Sequence, residues 1–221
     1  MGRKKGVRGA DGTYNGPHAP QSMRGAASIP TTRKCKVMAN QLKKIAKQAK
    51  GYKYVLLVMR HAKTEAFNAH GDFERELQDK GLKQAKKVAK ALEAMNLVPD
   101  QIDCSNAVRA RQTCERMLKV FGDGPKVSYV KALYDDGMQA VFDALGSCKD
   151  KRRVLMVIGH EPTVSMACQW LAGKQSAQEN LDLLNLGMGT ATVAVFGSNA
   201  PLRKWDTHDA DLIGLLNPKD L

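Results

Sequence analysis

Tyr54-Val55-Leu56-Leu57-Val58-Met59-Arg60-His61 is a continuous apolar run that ends in two basic side chains. Unbroken aliphatic and β-branched residues over this length mark a strand buried on both faces, and such strands belong to parallel sheets covered by helices. The pattern returns at Val154-Leu155-Met156-Val157-Ile158, followed by Gly159-His160-Glu161-Pro162. Between the two, Gln101-Ile102-Asp103-Cys104 leads into Ser105-Asn106-Ala107-Val108-Arg109. Three strand ends therefore deliver Arg60, His61, Arg109 and His160. In an open α/β sheet those ends border one crevice. Four positive or protonatable groups with no carboxylate cluster among them call for an anion, above all a phosphoryl group.

The stretches between these runs read as helices. Leu82, Ala85, Val88, Ala89 and Leu92 recur at helical spacing, as do Ala110, Thr113, Cys114, Met117, Leu118 and Phe121 before Gly122-Asp123-Gly124-Pro125. Val127 to Leu133 reads as a strand and Met138 to Leu145 as a helix. Pro162 suits the first turn of a helix from Thr163 to Leu171. Thr190 to Phe196 reads as a further strand, and Leu202 to Trp205 as an edge strand. Strands separated by helices imply parallel pairing with right-handed crossovers, hence an α/β fold, a three-layer α/β/α sandwich around a mostly parallel sheet.

The charge of the chain is unevenly spread. Its formal net charge is +13 over 221 residues, yet residues 1–50 hold twelve Lys/Arg against one acid, Asp11. Residues 51–221 hold 23 basic and 21 acidic side chains, so the basic character belongs to the N-terminal part. Residues 1–33 are rich in Gly, Pro, Ser and Thr with few large apolar side chains, which predicts a disordered basic tail. Over 34–50, Val37, Met38, Gln41, Leu42, Ile45 and Ala46 share one helical face and Lys36, Lys43, Lys44, Lys47 and Lys50 the other, which predicts an amphipathic basic helix. The main domain is then 51–221. The tail invites contact with a polyanion or an anionic surface, or an organellar targeting role. Five cysteines form no Cys-x-x-Cys pair, and a reducing, intracellular compartment is expected. No apolar run approaches the roughly 18 residues of a membrane-spanning helix.

Four segments carry a family resemblance. Arg60-His61-Ala62-Lys63-Thr64 resembles the Arg-His-Gly/Ala-x-Thr motif of the histidine phosphatase (phosphoglycerate mutase-like) superfamily. Ser105-Asn106-Ala107-Val108-Arg109-Ala110-Arg111-Gln112-Thr113 is similar to its Ser-Pro-x-x-Arg-Ala-x-Gln-Thr segment, with Asn106 in place of Pro. Gly159-His160-Glu161-Pro162 resembles its Gly-His-x-Pro, and Asp72 to Gly81 its Arg-x-Leu-x-x-x-Gly segment. The resemblance spans Tyr54 to Asp206, and Ala62-Lys63 together with Gly-His-x-Pro points to the SixA-type phosphohistidine phosphatase branch.

The residues and the resemblance together give a set of expected roles. His61 is the expected nucleophile, since an imidazole can attack phosphorus and hold the phosphoryl group covalently. Its other ring nitrogen must then donate to a carbonyl or carboxylate that fixes the tautomer. Arg60 and Arg109 suit the phosphate oxygens. The resemblance implies that His160 contacts the phosphoryl group and that Thr64 hydrogen-bonds it. Mutase-type relatives carry a general-acid Glu in a Leu-x-Glu segment. Asp135 in Leu133-Tyr134-Asp135 stands at the matching place, and a turn role in Asp135-Asp136-Gly137 is the alternative. Arg111 points to another face of its helix than Arg109. No His/Cys/Asp set has metal-ligand spacing, so neither metal nor cofactor is expected.

The expected activity is a metal-independent phosphatase with a phosphohistidine intermediate on His61. Its substrates would be phosphorylated protein side chains (phosphohistidine or phosphoserine/threonine) or small phosphomonoesters. The alternatives are a non-catalytic phosphate-recognition module of the same fold and a mutase-like phosphotransferase. The lack of long insertions, which leaves the site open to water, speaks against the mutase.

Overall fold

The computed structural model describes residues 31–221, with side chains from residue 39 onward. The tail expected over 1–33 thus lies almost wholly outside the described residues. The chain first forms α1 (Thr31–Ala49), then β1 (Tyr54–Arg60), α2 (Asp79–Ala94), β2 (Gln101–Ser105), α3 (Val108–Phe121) and β3 (Lys126–Val130). A single helical turn α4 (Ala132–Asp135) precedes α5 (Gln139–Ser147), β4 (Val154–Gly159), α6 (Thr163–Leu171), α7 (Gln178–Asn185), β5 (Val193–Ser198) and β6 (Asp211–Leu216).

The six strands make one sheet in the order β3-β2-β4-β1-β5-β6. β3, β2, β4 and β1 pair in parallel, while β5 and β6 close one side antiparallel. The sequence runs explain which strands are central. In β1, Val55, Leu57 and Met59 face one core with Ala85, Val88, Ala110 and Cys114 from α2 and α3. Tyr54, Leu56 and Val58 face the other, with Val141, Leu145, Val164 and Leu171 from α5 and α6. Both faces are covered, so the period-two polar alternation of a one-sided strand is absent. This is the expected three-layer α/β/α sandwich.

Register sets the site. Arg60 lies opposite Gly159 across the β1–β4 pair, so the next residue of each chain, His61 and His160, leaves the sheet at the same level. Cys104 lies opposite Ile158, which brings Ser105 and the start of α3 to that level as well.

Several expected elements are corrected. Leu202–Lys204 is a 3-10 turn, not an edge strand; it follows Pro201, and the Trp205 indole Nε1 anchors it on the Ala200 carbonyl at 2.8 Å. The edge strand is β6, unforeseen because Gly214 interrupts its apolar pattern. A Cβ on Gly214 would lie 2.9 Å from Ile45 of α1, so that glycine is what lets α1 sit down on β6. The strand expected to reach Leu133 stops at Val130, and Ala132–Asp135 turns into α4 instead. The strand expected from Thr190 begins only at Val193, and α7 lacked an apolar stripe strong enough to announce it.

Candidate active site

The strand ends meet in a cavity of about 530 Å³ lined by Arg60, His61, Thr64, Arg109 and His160, among others. A larger groove of about 790 Å³ between α1, α7 and β6 is lined by none of these residues.

His61 follows the last residue of β1 and is 6% exposed. Its Nδ1 donates to the Ala62 carbonyl oxygen at 2.8 Å, which leaves the lone pair on Nε2. Burial lowers its pKa to about 4 against the opposing Ala62 bond, helped by the charges of Arg109, Arg60 and Arg75. His61 is therefore neutral at physiological pH. The His160 ring stands 5.2 Å from it, centroid to centroid. Burial, then Arg109 and His61, bring the His160 pKa down to about 3. His160 Nε2 and the Ser105 hydroxyl are hydrogen-bonded at 2.8 Å, while the buried Nδ1 has no partner among the described residues.

Two arginines flank the imidazoles. Arg60 donates from Nη1 to the Met188 carbonyl at 2.8 Å, and its buried Nε has no partner among the described residues. Arg109, on the first turn of α3, is 5% exposed, and its Nε is likewise buried and unpartnered among the described residues. Buried donors are nearly always satisfied. Three such atoms sit on residues lining one cavity, and an anion held in that cradle would satisfy them.

The remaining motif residues hold the cradle together. The Thr113 hydroxyl donates to the Arg109 carbonyl at 2.7 Å and accepts the Ala62 amide at 3.0 Å, which ties α3 to the loop after His61. Gln112 Oε1 accepts the Leu77 amide, and Gln84 Oε1 the Lys63 amide. Gly81 is obligatory, because a Cβ there would lie 2.1 Å from the Lys63 carbonyl oxygen. Thr64 lines the cavity, but its hydroxyl donates to the Glu76 carbonyl at 2.5 Å.

Asp135 is a different matter. It pairs with Lys131, the residue just before α4, and does not line the cavity. The helical turn rotates successive side chains by roughly 100°, and it is Tyr134 that faces the site. Its ring stands edge-on to His160 at 5.4 Å and its hydroxyl donates to Asp72 Oδ2 at 3.1 Å. Arg111 lies over the Tyr129 ring, away from the cavity.

Sequence reasoning missed Ser105, Asp72, Arg75 and Tyr134. Asp72 and Arg75 line the cavity, and the Arg75 guanidinium holds the Glu65 carbonyl at 2.8 and 2.9 Å. The Arg75-x-Leu77-x-x-x-Gly81 spacing was the available signal for Arg75; nothing local marked the others. Among the described residues, no group of three His, Cys, Asp or Glu side chains is arranged to hold a metal ion. None of the described helices is long and apolar enough to cross a membrane.

Residues 56–136 match the family model of the histidine phosphatase superfamily (branch 1). Its architecture is similar to that of a protein assigned as the phosphohistidine phosphatase SixA of Nakamurella multipartitia, at 25% identity and a TM-score of 0.64 over 75% of this chain and 96% of the other. The protein histidine phosphatase SixA solved with tungstate shares the fold at 17% identity and a TM-score of 0.62, over 75% of this chain and 98% of that one. An uncharacterized protein of Mycobacterium tuberculosis is 34% identical over 107 residues, which is 48% of this chain and 65% of that relative's length. An uncharacterized protein of Mycobacterium leprae is 25% identical over 165 residues, 73% of this chain and all of the relative.

Proposed function

We propose that the protein is a phosphatase working through a covalent phosphohistidine on His61, with phosphohistidine side chains as its preferred substrates. One observation carries the reading: the 2.8 Å bond from His61 Nδ1 to the Ala62 carbonyl makes Nε2 the free nucleophilic nitrogen of a neutral ring. In the first step Nε2 bonds to phosphorus as the bond to the leaving group breaks. In the second, water attacks phosphorus, His61 recovers its lone pair and inorganic phosphate departs. Arg60 and Arg109 neutralise the phosphoryl oxygens as charge builds in the transition state. The Ala107 amide already donates to the Ser105 hydroxyl, at 3.3 Å, so that hydroxyl can give its own proton to His160 Nε2. The His160 proton then sits on Nδ1 as a third donor.

The choice of substrate follows from what the site does with its carboxylates. An alkoxide leaving group needs a proton, whereas the leaving imidazole of phosphohistidine needs little help. Asp135 is turned to Lys131, and Asp72 is held down to a pKa of about 2, first by its bond with Arg75 and then by Arg109 and Tyr134. Neither is placed to act as an acid. Similarity to the SixA protein of Nakamurella multipartitia supports the same choice.

The test is a substrate panel of phosphohistidine peptide, phosphoserine peptide and p-nitrophenyl phosphate, run with His61→Ala as control. Wild type should turn over the phosphohistidine peptide fastest and carry acid-labile, alkali-stable label at His61. Turnover by His61→Ala near the wild-type rate would refute the mechanism. A preference for phosphoserine would refute the substrate. Phosphate binding without any hydrolysis would return the protein to the recognition-module reading.

A further inference from the structure

Arg109 meets an acid before it meets any substrate. Its Nη1 donates to the backbone carbonyl of Asp72 at 2.6 Å and its Nη2 to the Asp72 carboxylate at 2.9 Å. The same carboxylate takes the Tyr134 hydroxyl at 3.1 Å and Arg75 Nη1 at 2.7 Å. The pair Asp72-Phe73 is itself braced, since the Phe73 ring stands edge-on to Tyr134 at 5.3 Å. One exposed 3-10 turn, Asp72–Glu74, thereby grips a buried arginine from outside the sheet.

A guanidinium can offer an oxyanion its two terminal nitrogens or its Nε edge. Asp72 occupies the terminal pair, and the nitrogen left buried without a partner among the described residues is Nε. We infer that Asp72 is a positioning residue that fixes the plane of Arg109 and makes it present its Nε edge to the phosphoryl group. This rests on the phosphatase reading only for its kinetic consequence, because the anion contact exists with or without turnover. The opposite possibility is equally concrete: Asp72 would be a competitor that phosphate must displace from Arg109.

The two differ in sign. Calorimetry with inorganic phosphate on the full chain, comparing wild type with Asp72→Ala, Asp72→Asn and Tyr134→Phe, decides between them. For a positioning residue, Asp72→Ala should weaken phosphate binding by about tenfold, the scale of one lost charge-assisted contact. Asp72→Asn keeps an acceptor oxygen and should recover part of that loss. Tyr134→Phe removes a donor from Asp72 but none from Arg109, and its effect should stay within about threefold. On phosphohistidine peptide, Asp72→Ala should lower kcat more than it raises KM. Unchanged or tighter phosphate binding in Asp72→Ala overturns the inference. The same binding pattern in a protein that hydrolyses nothing would leave the inference standing and sink the phosphatase reading instead.

Discussion

The cradle and its rim are built by opposite means. The cradle side chains His61, Arg109 and His160 are at least nine-tenths buried and leave the ends of β1 and β4 or the first turn of α3. The rim residues come from the 65–76 loop and from α4; Asp72 keeps a side chain 52% exposed, and Phe67 is 77% exposed. A buried group is fixed by the sheet, so its place can be read from hydrophobic pattern and register. An exposed group is fixed by a few polar contacts between distant stretches, which no local pattern announces. Substrate preference is therefore expected to reside in the less legible part.

Substitutions at the two levels should separate this contrast most widely. Arg60→Ala, Arg109→Ala and His160→Ala should each lower kcat by on the order of 10²-fold or more, as for removal of an oxyanion donor. Arg111→Ala should change it by less than about twofold, since that side chain rests on Tyr129. Steady-state kinetics on one phosphohistidine peptide checks all four. Equal damage from Arg111→Ala would mean that the cradle extends beyond the strand ends.

Acid titration tests whether the cradle is as dry as its burial implies. An unfolded histidine takes its proton near pH 6.5, but the folded chain holds His61 neutral down to about 4 and His160 down to about 3. Below pH 6.5 the unfolded state thus binds more protons, and stability, complete above that pH, falls as pH falls toward 4. The loss should reach on the order of 3 kcal/mol for His61 at the lower end of that window. Urea unfolding at pH 7, 5.5 and 4.5 measures it. A flat profile would mean solvated rings and a wetter site.

The smallest expected effect lies on α4. Asp135→Asn should leave the rate on phosphohistidine peptide within about twofold and cost little stability, because it breaks an exposed pair with Lys131. A large loss confined to phosphoserine peptide would show that the rim rearranges to bring a carboxylate over the leaving group.

Sequence and structure agree where burial is two-sided. The runs at 54–59 and 154–158 marked the central strands, and the basic residues behind them marked the crevice. Agreement fails where one residue decides orientation. Leu133-Tyr134-Asp135 matched a motif place by spacing, yet the turn of α4 hands that place to Tyr134. At β6, a glycine hid a strand, because its role is to admit Ile45 and not to fill the core itself.

The seating of Ile45 over Gly214 also fixes how α1 lies along the sheet. β6 runs in the same direction as β1, since each is antiparallel to β5. Gln41 and Leu42 of α1 lie beside Leu215 and Leu216, at the end of the sheet where Arg60 and Gly159 also finish. Ala49 lies at the opposite end, beside Val55 and Val154. The Gln41–Leu42 stretch of α1 therefore lies at the same pole of the sheet as His61, two strands or roughly 10 Å of sheet to one side of it.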